Sequence, residues 1–300
     1  MLKSIIEIAI EQGCEFKENA PMSDYTSFKT GGKASLVVMP NSIESLSQIV
    51  CACRQNKIKT YILGNGSNVL VSDNGLDGVV IRIGSDLSDI QYIGDGKIMC
   101  ETGVSLAKLC SFALSKSLSG LEFAFGIPGS AGGAAYMNAG AYGGEMKDVL
   151  VCCEYIDRNG NAGVFSGDEL HLGYRKSVFT NTDYVITKLF LQLTLGSYDE
   201  IKAAMNDKLS RRKEKQPLEY PSAGSTFKRP EGNYAGALIE KNGLKGFSVG
   251  GAAVSEKHAG FIINKCGATT ADILELIKYV QDTVYKNDGI LLEPEVKYFE

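Results

Sequence analysis

The first third of the chain alternates between strand and helix patterns of hydrophobic and polar positions. An apolar run over 34–39 predicts a strand, closed by Pro40 and Asn41. Ser42 then predicts the N-cap of a helix that extends to about Asn56. The apolar residues of that helix recur on one face: Ile43, Leu46, Ile49 and Val50. Short apolar runs bounded by turn residues predict three further strands, over 60–63, 69–71 and 79–83.

The rest of the chain has few long helical patterns, so a regular alternation of strand and helix is not expected. Two hairpins are predicted around the turns Gly94-Asp95-Gly96 and Arg158-Asn159-Gly160. An amphipathic pattern at the start predicts a helix that ends at Gly13. The other predicted elements are a helix over 106–118, a strand over 184–195, helices over 198–215 and 270–286, and a strand near 295–299.

Composition is ordinary for a globular protein: 300 residues, 44% hydrophobic and 22% charged, with a formal net charge of −4. This charge gives no whole-chain attraction to nucleic acid. Between Met205 and Pro230, however, seven basic residues stand against three acidic ones. The segment is either a solvated helix face or a local anion site. It also marks a predicted domain boundary near residue 200.

Cysteine spacing and hydropathy bear on the cellular location of the protein and on metal binding. None of the eight cysteines has C-x-x-C spacing, so neither a zinc site nor a redox pair is predicted, and buried reduced thiols are expected. Glu7 and Glu11 interrupt the first apolar run, which therefore fails as a secretory signal. No stretch reaches 18 apolar residues. Together these features predict a cytoplasmic protein that neither spans a membrane nor binds a metal.

Two glycine-rich segments are candidates for ligand binding. Gly64-Asn65-Gly66-Ser67-Asn68 follows a strand, and its backbone N–H groups can form an anion nest or simply a tight turn. The segment 126–135 reads G-I-P-G-S-A-G-G-A-A, and small residues continue to Gly143. A packed helix contact would explain this composition. A large cofactor lying against the backbone explains its length better.

Three single residues are chemical candidates with an ordinary alternative for each. Arg175 follows Tyr174 and suits a carboxylate or phosphate, although a surface arginine is the simpler interpretation. Ser225 lies on a small-residue turn beside the basic segment. Because G-x-S-x-G is absent and the chain has two histidines, a Ser-His-Asp hydrolase is poorly supported. Glu295 follows Pro294 and would ordinarily be solvated.

Taken in order, six motifs between residues 64 and 297 resemble those of the UDP-N-acetylenolpyruvoylglucosamine reductases. They are G-N-G-S-N, G-I-P-G-S-A-G-G-A, N-A-G-A-Y-G, G-Y-R-x-S, P-S-A-G-S-T-F and L-E-P-E-V-K. The resemblance starts at Thr26 and covers nearly the whole chain. It implies an α+β fold, with a vanillyl-alcohol-oxidase-type FAD-binding region of two α/β subdomains before a C-terminal α/β substrate domain. We expect the FAD-binding region over 1–200, with subdomains of about 1–85 and 86–200, and the substrate domain over 201–300.

The resemblance also implies roles for individual residues. Non-covalent FAD would bind along both glycine-rich segments, at Gly64, Asn65, Gly66, Ser67, Asn68, Gly126, Ile127, Pro128, Gly129, Ser130, Gly132, Gly133, Asn138, Ala139 and Gly140. Substrate would bind at Tyr174, Lys215, Gln216 and Lys228. The chain has few residues to spare between motifs. It therefore resembles the shorter variety of the family, which lacks an inserted lid tyrosine.

The implied reaction belongs to peptidoglycan synthesis. NADPH reduces the flavin, and hydride then passes to C3 of the enolpyruvyl group of UDP-N-acetylglucosamine enolpyruvate, giving UDP-N-acetylmuramate. Arg175, with help from Glu295, would stabilise negative charge on the substrate carboxylate, and Ser225 would protonate C2. No nucleic acid, membrane or obligate protein partner is expected.

Two alternatives remain at this point. An FAD oxidase of the same fold would use oxygen, and covalent flavin attachment would commonly need a histidine or cysteine beside the flavin. Neither glycine-rich segment contains such a residue. A non-catalytic sugar-nucleotide sensor would bind the UDP-sugar without any flavin. The absorption spectrum of the purified protein separates these alternatives.

Overall fold

The computed structural model describes residues 2–300, which form a mixed α and β structure. The helices are α1 (Leu2–Glu11), α2 (Ile43–Gln55), α3 (Leu106–Ser115), α4 (Ala131–Tyr136), α5 (Tyr198–Lys215), α6 (Ala235–Lys241) and α7 (Thr270–Asp288). The first nine strands are β1 (Glu15–Pro21), β2 (Lys33–Met39), β3 (Thr60–Leu63), β4 (Val69–Val71), β5 (Leu76–Arg82), β6 (Ile90–Gly94), β7 (Lys97–Glu101), β8 (Leu118–Ser119) and β9 (Gly140–Ala141). The remaining strands are β10 (Gly144–Glu145), β11 (Leu150–Ile156), β12 (Ala162–Ser166), β13 (Val185–Gln192), β14 (Thr194–Leu195), β15 (Ser248–Val249), β16 (Ala252–Val254), β17 (Ile262–Asn264) and β18 (Lys297–Phe299).

These strands form several separate sheets. A four-stranded sheet has the order β1-β2-β5-β3, and β3 runs parallel to β5 with Thr60 opposite Val79. A five-stranded sheet has the order β12-β11-β13-β7-β6, and every pairing in it is antiparallel. β15, β16 and β17 form a small antiparallel sheet. β18 pairs in parallel with β4, with Lys297 opposite Val69, so the end of the chain is held by a segment near residue 70.

Residues group into two compact units, each with its own apolar core. The first unit comprises 2–18, 36–65 and 78–211, and the second comprises 19–35, 66–77 and 212–300. Helix α3 and the five-stranded sheet supply much of the largest core of the first unit, whereas α6 and α7 supply much of the core of the second. The segments 19–35 and 66–77 thus group with C-terminal residues. The functional domains expected over 1–200 and 201–300 stay a prediction.

Most long helices and strands lie where the sequence patterns predict them. Contacts at their ends explain where they start and stop. Ser42 caps α2 through a reciprocal hydrogen bond with Ser45, as its position predicts. Both predicted hairpins are confirmed. The strand predicted over 184–195 is interrupted at Leu193, whose N–H donates to the Gly96 carbonyl at 2.8 Å. The predicted helix over 106–118 ends at Ser115, because the chain then enters β8.

Cysteine chemistry agrees with the sequence prediction only in part. All eight cysteines are free, so no disulfide forms among them, but Cys51 and Cys152 are half-buried and Cys266 is exposed. Burial raises the pKa of Cys100 to about 12, which keeps this thiol protonated at neutral pH. Within residues 2–300, no helix is both long and apolar enough to cross a membrane.

Candidate active site

The turn Gly64–Asn68 presents a row of backbone donors. Gly64 and Asn65 belong to the first unit, and Gly66, Ser67 and Asn68 belong to the second. The N–H groups of the first four residues donate no hydrogen bond to any other part of residues 2–300. Gly66 is buried and the other three residues are half-buried, and backbone donors that are withdrawn from water usually have an acceptor. Consecutive uncommitted amides around a residue in the left-handed region are the arrangement that holds an anion such as a phosphate.

Gly66 is required at its position by both conformation and space. Its φ of +61° lies in the left-handed region, and an added Cβ would lie 2.0 Å from the carbonyl oxygen of Tyr25. The Gly66 carbonyl also accepts a hydrogen bond of 3.0 Å from the N–H of Ser27. The turn therefore packs directly on the segment around Tyr25, with no room for a side chain between them.

We expect Gly66→Ala to lower the thermal midpoint and to reduce retention of flavin, because the methyl group must displace the Tyr25 backbone. Overpacking of this kind costs about 1–3 kcal/mol. The matched control is Gly232→Ala, at a glycine of φ +67° in the same unit with no atom within 4 Å of an added Cβ. Both variants carry the conformational strain, and only the first carries the clash. Equal losses in thermal scans and in flavin absorbance would contradict the packing argument.

The second glycine-rich segment divides into packing positions and accessible positions. Ser130 caps the short helix α4 by accepting from the Gly133 N–H at 3.3 Å. Gly132 is buried, and an added Cβ would lie 1.9 Å from the Thr102 hydroxyl, so part of the motif serves helix packing. The positions that keep surface are Gly126, Ile127, Pro128, Gly129 and Gly133. Only these five have surface available for a cofactor from this segment.

The two glycine-rich segments meet within the first unit. An added Cβ on Gly64 would lie 2.6 Å from the hydroxyl oxygen of Ser130. The turn and the start of α4 are therefore in direct contact. The fold thus brings Gly64 against Ser130, a residue of the second motif.

Asn138 supports the neighbouring loops rather than presenting its side chain to a ligand. It is fully buried with φ +44°, and its amide donates to Glu145 at 2.9 Å and to the Gly173 carbonyl at 3.0 Å. Its oxygen accepts from the Lys147 N–H at 2.8 Å. Because these bonds occupy the side chain, any contact of Asn138 with a cofactor would have to be made by its backbone or by the backbone of a neighbouring residue. Ala139 is also buried, and its N–H donates to Ala134.

Arg175 lies beside the strand that contains Gly140. Its Nη2 donates to the Gly140 carbonyl at 3.2 Å, and its guanidinium lies 5.1 Å from the ring centroid of Tyr174. Its φ of +55° is uncommon for a residue with a side chain and marks a tight turn closed by the pairing of Gly173 with Lys176. The predicted anion-binding arginine and the predicted flavin-lining strand are thus brought together.

Ser225 is exposed on a loop whose neighbours are firmly held. Thr226 donates its N–H to the Gly260 carbonyl at 2.8 Å, and its buried hydroxyl accepts from the Ile262 N–H at 3.0 Å. On the other side, the Ser27 hydroxyl donates to the Ser222 carbonyl at 2.6 Å. The loop is therefore anchored on both sides of Ser225, which leaves its hydroxyl accessible to a ligand.

Glu295 lies on a segment that pairs with the Ser225 loop. Phe227 and Pro294 form an antiparallel bridge, with the Lys228 N–H donating to the Glu293 carbonyl and the Glu295 N–H donating to the Thr226 carbonyl, each at 2.8 Å. Proline lacks an N–H, so the two bonds flank it on either side. The structure therefore places the backbone of Glu295 next to the residue that follows Ser225.

Three residues of the second unit were predicted to bind substrate. Lys215 is exposed at the end of α5, and the Lys228 ammonium pairs with the Glu293 carboxylate. The Gln216 Oε1 is buried and accepts no hydrogen bond from any described residue. A buried acceptor of this kind has lost its hydrogen bonds to water and has gained none from the protein. It is therefore a candidate contact for an N–H or O–H of a ligand.

The structure does not support a serine hydrolase. Ser225 forms no hydrogen bond with His258 or any other described residue, so the nucleophile–base contact of such an enzyme is missing.

A cavity of about 430 Å³ in the first unit lies apart from the candidate residues. It is lined by residues such as Glu122, Tyr142 and Lys208. It contains none of the predicted site residues.

Sequence reasoning missed the residues that hold the candidates in place. Ser27, Thr226 and Glu145 bond to site segments, but none of them stands out by spacing or composition. Ser27 and Ser222 are 195 residues apart. No local pattern indicates a partner at that separation. The signals in the sequence were the Thr26–Gly32 stretch, which contains Ser27, and the P-S-A-G-S-T-F motif, which contains Thr226.

Comparisons with known proteins cover almost the whole chain. Residues 34–165 match the family described as "FAD binding domain", and residues 216–299 match "UDP-N-acetylenolpyruvoylglucosamine reductase, C-terminal domain". A UDP-N-acetylenolpyruvoylglucosamine reductase from Caldanaerobacter subterraneus subsp. tengcongensis is 50% identical over 279 residues, which is 93% of this chain and 92% of the relative.

Solved structures give the same result at the level of the fold. The crystal structure of UDP-N-acetylenolpyruvylglucosamine reductase from Thermus caldophilus aligns with a TM-score of 0.82 and 35% identity, covering 96% of this chain and 99% of that chain. The BBE-like 1 protein of Physcomitrella patens aligns with a TM-score of 0.51 over 63% of this chain and 44% of its own. At 13% identity, this second likeness concerns the fold alone.

Proposed function

Because the chain belongs to the UDP-N-acetylenolpyruvoylglucosamine reductase family, we propose that it reduces UDP-N-acetylglucosamine enolpyruvate to UDP-N-acetylmuramate in peptidoglycan synthesis, with FAD and NADPH. The expected α+β fold with a vanillyl-alcohol-oxidase-type FAD-binding region is confirmed. The geometric observation that carries the proposal is the row of four uncommitted backbone N–H groups in the turn at Gly64–Ser67. This arrangement fits a diphosphate.

The residues present fit FAD. Within the first unit, the N–H groups of Gly64 and Asn65 would bind the diphosphate, and the accessible segment 126–129 leaves room for a planar ring. Bound FAD, reduced by NADPH, supplies the hydride that C3 of the substrate receives. The protein then has to make an electron-rich enol ether behave as an acceptor and has to provide a proton at C2.

We assign Arg175 to the first of these tasks. Its guanidinium matches the two oxygens of a carboxylate, and the turn at Gly173–Lys176 holds it against the Gly140 carbonyl. Negative charge that develops on the substrate carboxylate as hydride arrives at C3 would be stabilised by this fixed cation. Glu295, if protonated or bridged to an arginine, would share that charge.

Ser225 is our candidate for the proton at C2. A hydroxyl is a weak acid, but a carbanionic intermediate is basic enough to take its proton when the two lie within hydrogen-bond reach. The anchored loop keeps the accessible hydroxyl at a defined place. This assignment is a proposal from the family motif, supported by the exposure of Ser225 and the bonds on either side of it.

The UDP part of the substrate needs cations and donors. Lys215 and Lys228 are our candidates for the UDP diphosphate, with the phosphates of NADPH as the alternative at Lys215. Gln216 is our candidate for a ligand donor and Tyr174 for a further contact. Since Lys228 is paired with Glu293, a phosphate at this lysine would have to compete with that carboxylate. The absence of a lid tyrosine and the cytoplasmic location stay predictions.

The test is an anaerobic spectroscopic titration of the purified protein. We expect flavin absorbance that NADPH bleaches and that UDP-N-acetylglucosamine enolpyruvate restores. UDP-N-acetylglucosamine is the control, because it has no enolpyruvyl group to reduce and should leave the flavin bleached. Restoration by oxygen but not by the enolpyruvyl sugar would point to an oxidase instead. A protein that binds the UDP-sugar and carries no flavin would be a sensor.

A further inference from the structure

The side chain of Asn68 links the cofactor turn to the segment of Glu295. Its Nδ2 donates to the Glu295 carbonyl at 3.2 Å, and its own carbonyl accepts from the Lys297 N–H at 3.0 Å. Asn68 immediately precedes β4, and Lys297 is the first residue of β18, which pairs with β4 in parallel. The Asn68 side chain thus extends this pairing by one hydrogen bond beyond the end of the strands.

Glu295 is held at both of its backbone groups. The Thr226 carbonyl accepts its N–H at 2.8 Å, and the Asn68 amide donates to its carbonyl at 3.2 Å. Thr226 follows Ser225, and Asn68 ends the Gly64–Asn68 turn. One backbone position therefore connects the segment of the proposed proton donor to Asn68, and Glu295, Thr226 and Asn68 all belong to the second unit.

We propose that Asn68 is a positioning residue for Glu295. This inference rests on the proposed function, because it assumes that the Glu295 carboxylate acts on the substrate. The asparagine amide donates to the Glu295 carbonyl at 3.2 Å. Aspartate has the same shape but presents a carboxylate oxygen to that carbonyl, so it repels where asparagine binds. A displacement of about 1 Å at a reacting group can lower the rate by about 10²-fold.

Two variants and one control test the proposal. For Asn68→Ala and Asn68→Asp, with every rate expressed per bound flavin because Asn68 is also a predicted flavin contact, we expect restoration of absorbance by the enolpyruvyl sugar to be about 10-fold or more slower than in the wild type. Asn74→Ala is the control, since Asn74 is exposed in the next turn of the same unit. It should match the wild type in every measurement.

A double-mutant cycle separates positioning from an independent effect. If Asn68 acts through Glu295, Asn68→Ala should slow restoration by less than about two-fold in a Glu295→Gln background. An equal slowing in both backgrounds would overturn the proposal. Slowing of bleaching by NADPH, per bound flavin, to the same extent as restoration would also overturn it, since Asn68 would then act on the cofactor rather than through Glu295.

Amide hydrogen exchange gives a readout that does not depend on catalysis. In Asn68→Ala, the peptide covering residues 295–299 should exchange faster, whereas the peptide of α6 should not change. Unaltered exchange in 295–299 would show that Asn68 does not hold this segment. Should the wild-type flavin fail to respond to the enolpyruvyl sugar, the proposed function fails, and the exchange experiment still decides whether Asn68 fixes Glu295.

Discussion

Replacement of Ser225 by alanine should leave flavin reduction by NADPH within about two-fold of the wild type and slow reoxidation by the enolpyruvyl sugar by about 10²–10⁴-fold, the usual contribution of a positioned acid. The hydroxyl makes no hydrogen bond within residues 2–300, so its removal leaves the loop intact. The bonds from Thr226 to Gly260 and from Ser27 to Ser222 remain. The loss would therefore report chemistry rather than folding.

Stopped-flow absorbance of each half-reaction, recorded under anaerobic conditions, provides the measurement. The matched control is Ser222→Ala, in the same loop, because the Ser222 hydroxyl also makes no hydrogen bond within the described residues. Its two half-reactions should equal those of the wild type. Normal reoxidation in Ser225→Ala would exclude Ser225 as the proton donor, and a loss of both half-reactions would indicate a role in binding instead.

Replacement of Arg175 by lysine should reduce turnover by about 10²-fold or more, comparable to removing a donor from an oxyanion-binding site. Lysine keeps the positive charge but loses the planar pair of donors that matches a carboxylate. It also loses the geometry in which Nη2 bonds to the Gly140 carbonyl while the guanidinium lies over Tyr174. The charge alone should therefore not restore the rate.

Steady-state kinetics with the enolpyruvyl sugar checks this expectation. Arg158→Lys is the matched control in the same unit, since Arg158 is 61% exposed and makes a 3.8 Å surface ion pair with Asp183. Such exposed pairs contribute little to stability, so this variant should be as active as the wild type. Near-normal turnover in Arg175→Lys would show that carboxylate clamping is wrong.

Local patterns predicted the elements well because their causes are local. The cap at Ser42 depends on Ser45, three residues away, and the hairpin turn at Gly94–Gly96 depends on backbone conformations that glycine adopts readily. The same logic failed where a distant partner intervenes. The strand pattern over 184–195 divides at Leu193 because residues 188–192 pair with β7, whereas Thr194 and Leu195 pair with β8.

The glycine-rich segments of the candidate site also combine features that a local pattern predicts with features that depend on distant residues. Their composition alone indicated close backbone approach, and the ordered motifs indicated which family uses it. Composition could not show that Gly132 packs on Thr102 whereas Gly133 stays exposed, since neighbouring glycines look alike in a sequence. Which of them packs depends on the turn after β7, which brings Thr102 against the helix.

The sequence by itself determined the family, the flavin chemistry and the candidates Arg175, Ser225 and Glu295, because residue types in a fixed order carry that information. Only the tertiary structure decided how these candidates are supported. Asn138 holds the Arg175 turn through Gly173, and Asn68 reaches Glu295 across 227 residues of chain. Such bonds depend on which distant segments the folded chain brings side by side. That information is a property of the whole topology and not of any local pattern.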